Sequence, residues 1–354
     1  MTRIEGADSP EPAAASALTL SLVIPAYNEG ARLEEGVARL RHAVSAGAIA
    51  AAATEFVVVD DGSSDDTAAR AAELFSPFPH VKVVRLPENR GKGAAVRAGV
   101  AAATAPVIAF ADADMSIDPA QTPEFMAALA GADLAIGSRA ASGASVNRSS
   151  LRRSVMNRVF NRLVNAVTRV SLDDTQCGFK AFRAPAAKLL FHCTVVERFA
   201  FDVEVLALSR RLGLSIAEVP VHWLRVKGSR IRPWFDAVSM ARDVVRAGRG
   251  ARSAPPVETL VVTLPGGGAG ASRPIDLLRP ALASHLMLLR RSDGAVLVLC
   301  PMTSEAERIA VAERIGTLLP AAVLERTVLS TAQLGQLAPL SGTRDDDPVA
   351  SIVS

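Results

Sequence analysis

Cysteine, histidine and aromatic residues are scarce in this 354-residue chain, and each scarcity closes off a class of function. The three cysteines, Cys177, Cys193 and Cys300, form no C-x-x-C pair, which argues against a zinc site and fits a reducing compartment. The five histidines are scattered with no H-x-x-x-H spacing, so a lone His222 reads as a structural or surface residue. Aromatics make up 4% of the chain, too few for a platform that stacks single-stranded nucleic acid. No run of about 18 apolar residues is free of charge, so no transmembrane helix is expected. Residues 43–59 come closest, and Glu55 interrupts them. The first residues carry Glu5, Asp8 and Glu11 with no apolar centre, unlike a signal peptide.

What is present is alanine-rich and unevenly charged. The hydrophobic fraction of 49% and mean hydropathy of +0.26 owe much to alanine and imply no membrane span. The length allows a large core and one to three domains. The net charge of +3 hides an asymmetry. Between Arg139 and Arg252 stand 21 Lys/Arg against 8 Asp/Glu, while the remainder is acidic. A basic block inside a folded chain suggests an anionic partner: a phosphate, a nucleic acid or a membrane face.

Residues 1–18, rich in Pro, Ala and Ser, read as a disordered leader. From there strand, polar loop and helix alternate. Leu20 to Pro25 is a strand, Ala26 to Gly30 a loop, and a helix runs to about Val44. Glu55 to Val59 is a second strand, ending in Asp60-Asp61-Gly62-Ser63. Val81 to Leu86 is a third, and Asn89-Arg90-Gly91-Lys92-Gly93 opens the next helix. Val107 to Ala111 is a fourth, ending in Asp112-Ala113-Asp114, and Asp133 to Arg139 a fifth. This alternation predicts an α/β fold with a mostly parallel sheet and helices on both faces, its polar loops meeting at one sheet edge.

In the extended chain Asp112 and Asp114 point the same way. Paired hard oxygen ligands at the end of a strand suit Mg²⁺ or Mn²⁺, and through it a diphosphate. Alone, such a pair reads more readily as a solvated turn, and the other motifs decide between the two. Leu151 to Val170 repeats apolar residues every four positions, with Arg152, Arg153, Arg158, Arg162 and Arg169 beside the stripe. The stripe fits packing on the core, and the wholly basic polar face fits an anionic membrane surface. Asp173 to Lys180 reads as a loop, Phe201 starts a helix, and Ile216 to Trp223 is a strand. Arg225, Lys227, Arg230 and Arg232 crowd the next loop, and Trp234-Phe235 opens a basic helix. Composition shifts at Ser253. Residues 251–273 read as a linker containing an extended apolar piece, Thr259 to Leu264. Residues 274–354 read as a small α/β appendage of unknown role, with a strand from Ala295 to Leu299 and a helix from Ser304.

Together, Val23-Ile24-Pro25-Ala26-Tyr27-Asn28-Glu29, Val59-Asp60-Asp61-Gly62-Ser63, Asn89-Arg90-Gly91-Lys92-Gly93, Asp112-Ala113-Asp114 and Gly137-Ser138-Arg139 resemble the family 2 glycosyltransferases of GT-A (Rossmann-like) fold. Asp174 to Phe182, Phe201-Asp202-Val203-Glu204 and Trp223 to Arg230 narrow the resemblance to dolichyl-phosphate or polyprenyl-phosphate glucosyltransferases and mannose synthases. It covers about residues 19–248, within a catalytic domain expected over 19–250, and leaves the last hundred or so aside.

The resemblance implies that Pro25, Tyr27, Glu29, Asp60 and Asp61 hold the nucleotide base and ribose, with Lys92 nearby. Asp112 and Asp114 flank the diphosphate, Asp114 as direct metal ligand. Arg139, Arg152, Arg153 and Arg230 gather the acceptor phosphate, and Asp174 orients the acceptor or a sugar hydroxyl. Ser116 stands where mannose synthases commonly carry Gln, favouring UDP-glucose over GDP-mannose. The expectation is an inverting, metal-dependent hexosyltransferase acting on a polyprenyl phosphate, peripheral on the cytoplasmic membrane face. It binds no nucleic acid and leaves room for a homo-oligomer. Two alternatives stay open. A hydroxyl acceptor would need a carboxylate base such as Asp202 or Glu204. A nucleotide-sugar-binding regulator would bind without turnover.

Overall fold

The structure, a computed structural model, describes residues 17–146, 161–162, 164–166, 168, 170–224, 256–263, 278, 282, 286–290 and 295–334. Most of the arginine-bearing stripe, the Arg225–Arg232 loop and the helix expected from Trp234 lie outside them.

The strands of the first unit are β1 (Leu20–Ala26), β2 (Thr54–Asp60), β3 (Val81–Arg85), β4 (Val107–Ala111), β5 (Leu134–Ser138), β6 (Ser145–Val146), β7 (Phe179–Arg183), β8 (Ile216–Pro220) and β9 (His222–Trp223). Seven of them form one sheet in the order β3-β2-β1-β4-β7-β5-β8. The helices between them are α1 (Leu33–Ser45), α2 (Thr67–Phe75), α3 (Lys92–Ala102), α4 (Thr122–Ala128), α5 (Ala184–Cys193) and α6 (Phe201–Arg211). They cover both faces. Leu22, Ile24, Phe56 and Val58 pack with Leu33, Val37 and Phe75 on one side. Val23, Val57, Phe110 and Phe182 pack with Val96, Phe191 and Phe201 on the other. Burial on both faces is why these strands read as continuous apolar runs rather than alternating ones.

Two expectations need correction. The loop expected over Asp173 to Lys180 ends at Gly178, because Phe179–Arg183 is a strand, antiparallel to both β4 and β5. Its second residue, Lys180, is fully buried, satisfied by Asp202 at 2.6 Å and the Cys177 carbonyl at 2.9 Å. The strand expected from Ile216 to Trp223 is interrupted. β8 ends at Pro220, the Val221 N–H still donates to the Ser138 carbonyl at 3.2 Å, and His222–Trp223 pairs separately with β6.

The stretch read as a linker also contains a strand, β10 (Val257–Thr263), inside a second sheet ordered β11-β12-β10-β13. Its partners are β11 (Met287–Arg290), β12 (Val296–Leu299) and β13 (Val323–Leu329), all pairings antiparallel. Helix α7 (Glu305–Leu318) joins β12 to β13, and the short α8 (Thr331–Leu334) follows. Leu260, Val262, Val296 and Val298 face Ile315 and Leu319, while Val257, Val261, Leu297 and Leu299 join the core of the seven-stranded sheet. The period-two alternation thus serves two different cores, one per face. Leu297→Ala should cost about 2–5 kcal/mol of stability in urea titration, the range for a large-to-small change in a core.

Candidate active site

The strand order reverses between β1 and β4, since β2 and β3 lie on one side of β1 and β4 on the other. In open α/β sheets, ligands bind in the crevice at such a reversal, outside the carboxyl ends of the strands. Tyr27 and Glu29 follow β1, and Asp112 and Asp114 follow β4. Tyr27 is 42% exposed, and Pro25 is the half-buried penultimate residue of β1.

The end of β4 is tied on both sides. The Asp112 N–H donates to the Gly178 carbonyl at 3.2 Å, just before β7. A Cβ on Gly178 would stand 2.1 Å from Asp112 Oδ2, so a larger residue would displace that carboxylate. Lys92, at the start of α3, places Nζ 2.5 Å from Asp112 Oδ1 and packs over the Phe110 and Phe201 rings. Burial works against the Lys92 charge, yet Asp112, Asp202 and Asp114 hold its ammonium above the usual lysine value. Burial and the neighbouring Asp112 push the Asp114 carboxyl up, against the Ser116 N–H and Arg32.

Sequence reasoning missed the face of α1 that braces this loop. Arg32, Gly36 and Arg39 are four and three residues apart, one stripe of a helix. Arg39 Nη1 donates to the Asp114 and Met115 carbonyls, both at 3.1 Å. It anchors Met115 at φ +45°, a left-handed conformation costly for a non-glycine residue. A Cβ on Gly36 would lie 2.0 Å from the Ala113 carbonyl oxygen. Arg32 pairs with Glu29 Oε1 at 3.0 Å and lies 3.7 Å from Asp114 Oδ2. The only signal in the sequence was the spacing, which ordinary surface arginines share.

The two aspartates after β2 have different surroundings. Asp61 accepts from the N–H groups of Arg90 (2.9 Å) and Gly91 (2.8 Å) and from Asn89 Nδ2 (2.9 Å). Burial nonetheless pushes its carboxyl up. It thereby fixes the loop that carries Lys92. Asp60 is fully buried, accepts from the Ser63 N–H and lies 3.2 Å from Arg85 Nε. The β1 and β2 loops interlock through the Asn28 N–H to Ser63 Oγ and the Glu29 N–H to Thr67 Oγ1, both 2.9 Å.

Across the crevice, Arg139 and Asp174 form a bidentate pair, Nε to Oδ2 at 2.6 Å and Nη2 to Oδ1 at 3.0 Å. Burial would raise the Asp174 carboxyl, but Arg139 outweighs it and holds the group below the usual range. Burial likewise opposes the Arg139 charge, which Asp174, Cys177 and Asp112 support. Asn161, also missed, clamps this loop. Its Nδ2 donates to the Leu172 and Asp173 carbonyls, and its Oδ1 accepts from the Thr175 N–H and hydroxyl. The structure therefore joins Lys92, Asp112, Asp114, Asp202, Arg139 and Asp174 in one electrostatic cluster. Arg152, Arg153 and Arg230 lie outside the described residues. Glu204 accepts from the Val195 and Val196 N–H groups at 3.0 and 2.8 Å, pinning the turn before α6.

The family model for glycosyl transferase family 2 matches residues 21–191. The chain belongs to this family; it is a glycosyltransferase, and its seven-stranded unit is a GT-A fold. Among similar proteins is a dolichyl-phosphate beta-glucosyltransferase of Drosophila melanogaster, 38% identical over 241 residues, covering 64% of this chain and 73% of that one. Those of Dictyostelium discoideum (32% over 240 residues, 64% and 73%) and Homo sapiens (34% over 246 residues, 64% and 74%) are similar too. A solved structure of glucosyl-3-phosphoglycerate synthase from Mycobacterium tuberculosis, with Mn²⁺, UDP and glucosyl-3-phosphoglycerate, aligns at TM-score 0.49 and 24% identity. That alignment covers 65% of this chain and 78% of the other.

Gly36→Ala should cost about 1–3 kcal/mol, the usual price of overpacking, and lower turnover further by displacing the aspartate loop. Thermal melting and steady-state kinetics on the same sample separate the two effects. Arg139→Met removes what holds Asp174 low and leaves burial, which raises it. The stability that Asp174 contributes is complete above its unfolded value and lost as pH falls through its folded value. The deficit of Arg139→Met against wild type, read by urea unfolding followed by circular dichroism, should therefore be largest at neutral pH and narrow as pH falls and Asp174 takes up a proton.

Proposed function

We propose that the chain transfers glucose from UDP-glucose to the phosphate of a polyprenyl (dolichyl-type) phosphate, inverting the anomeric carbon, with the help of a divalent cation. The observation that carries this reading is how the cluster's carboxylates are engaged. Asp174 is held ionised by Arg139, Asp202 is paired with buried Lys180, and Glu204 holds two backbone N–H groups. Asp174 and Asp202 are each taken up by a fixed cation, and Glu204, although burial pushes its carboxyl up, is wholly buried. None of the three is therefore placed to take a proton from a hydroxyl, which a hydroxyl acceptor would require. A phosphate monoester has a second pKa of about 6 and is already dianionic at neutral pH. The similarity to dolichyl-phosphate beta-glucosyltransferases points to the same acceptor class and sugar.

In this reading an acceptor phosphate oxygen attacks C1 of the glucose as the bond from C1 to the UDP phosphate oxygen breaks. UDP leaves with that electron pair. Tyr27, Pro25, Glu29 and Asp61 frame the base and ribose, while Asp60 supports their loop from beneath. Lys92 offers its charge beside the diphosphate. Arg139, two of its nitrogens fixed by Asp174, presents the rest of its guanidinium to the acceptor phosphate, assisted by Arg152, Arg153 and Arg230.

Among the described residues no three His, Cys, Asp or Glu side chains gather to hold a metal unaided. Asp112 and Asp114 nonetheless fit Mg²⁺ or Mn²⁺, ions that complete their shell with phosphate oxygens and water. Burial and then Asp112 push the Asp114 carboxyl up, the direction that two carboxylates sharing one site produce. When bound, the cation would neutralise charge on the departing diphosphate.

No helix among the described residues is long and apolar enough to cross a membrane. The excess of 21 basic over 8 acidic residues between Arg139 and Arg252 suits peripheral docking on an anionic cytoplasmic leaflet, where the lipid acceptor's phosphate is exposed.

The test is to incubate purified protein with UDP-glucose or GDP-mannose, polyprenyl phosphate and Mn²⁺, and identify the product. Glucosyl-phosphopolyprenol should form from UDP-glucose and disappear with EDTA. Asp114→Asn should lower kcat by at least about 100-fold with folding intact. The rate should fall below about pH 6 as the acceptor takes up a proton. Transfer confined to hydroxyl acceptors would contradict the reading.

A further inference from the structure

We infer that Arg32 and Lys92 occupy the charge of Asp114 and Asp112 until the donor arrives, so that the divalent cation binds together with the nucleotide diphosphate rather than before it. The inference rests on reading Asp112 and Asp114 as the metal-holding pair.

Each carboxylate has its own internal cation. Lys92 Nζ stands 2.5 Å from Asp112 Oδ1, and Arg32 Nη2 stands 3.7 Å from Asp114 Oδ2. Neither cation belongs to the strand that carries the aspartates. Arg32 caps α1, after the β1 loop, and Lys92 opens α3, after the loop that Asp61 fixes. Arg32 also pairs with Glu29 at 3.0 Å, so one guanidinium joins the loop proposed to hold the nucleotide to the carboxylate proposed to hold the metal.

A divalent ion arriving alone meets two positive groups already seated at its ligands, and like charges at this range repel strongly. A diphosphate offers Arg32 and Lys92 the negative charge they otherwise find in the aspartates. As it enters, the guanidinium and ammonium turn their N–H groups to phosphate oxygens, and the carboxylates are released. The two contacts differ in strength. At 3.7 Å the Arg32–Asp114 approach is longer than a hydrogen bond, whereas the Lys92–Asp112 contact is short and flanked by two aromatic rings. Arg32 is therefore the member that gives way first. Reciprocity follows, so the cation must tighten UDP binding by the same factor by which UDP tightens the cation's.

The experiment measures Mn²⁺ binding to the full chain through loss of the free-ion paramagnetic resonance signal, with and without UDP. In the wild-type chain, saturating UDP should tighten Mn²⁺ binding at least about fivefold, the lower end of ordinary coupling between sites. In Arg32→Gln, Mn²⁺ alone should bind at least about fivefold tighter than to wild type, and the gain from UDP should shrink. Arg32→Lys, which keeps the charge, should behave as wild type. If Arg32→Gln binds Mn²⁺ alone no better than wild type, the inference is overturned and the metal reading stands. If the wild-type chain binds no Mn²⁺ even with UDP, the metal reading itself fails.

Discussion

Two carboxylates stand side by side at the end of a buried strand, and the surrounding structure is arranged to tolerate them. Asp112 and Asp114 follow β4, whose five residues are all buried. Placing like charges there is costly unless neighbouring groups compensate. Lys92 and Arg32 do so directly. Arg39 anchors the backbone that carries Asp114, and the missing side chains of Gly36 and Gly178 leave room for the loop and for the Asp112 carboxylate. Helices α1 and α3 and strand β7 are thus all fixed by what the aspartate loop needs.

The same arrangement explains why a glycosyltransferase of this kind is rich in paired charges rather than in free bases. Donor and proposed acceptor are both anionic, so the barrier lies in bringing them together. Arg139 is oriented bidentately by Asp174, which makes it a directed positive group rather than a flexible one. Lys180 and Asp202 neutralise each other beneath Phe110, whose ring also carries Lys92 at 5.8 Å. The cluster supplies positive charge to the crevice while keeping each carboxylate engaged.

Much of this was legible in the sequence, for identifiable reasons. The apolar runs ending in Asp60-Asp61 and Asp112-Ala113-Asp114 mark strands and their functional ends together, because a doubly covered sheet places polar loops at one edge. Strand β7 was not legible, since Lys180, its second residue, reads as a surface charge. Only its partner Asp202, 22 residues onward, makes burial possible. The Arg139–Asp174 pair was hidden in the same way: each residue was singled out, but nothing in the order of residues joins them. Arg32, Arg39 and Asn161 carry no motif and act on backbone carbonyls or on residues far along the chain. In the C-terminal unit, β10 was read as extended but not as central, because its two faces serve different cores. One face of that sheet packs against α5 and its neighbours.

The account stands or falls on what occupies the space between Asp112 and Asp114 when donor is bound. Crystals grown with Mn²⁺ and UDP-glucose, examined by anomalous scattering at the manganese edge, answer this directly. A peak bridging the two carboxylates and the diphosphate, with the Arg32 guanidinium moved from Asp114 to phosphate oxygen, is the expected result. Donor bound in the crevice with Arg32 and Lys92 still on the aspartates, and manganese absent from that pair, would contradict it.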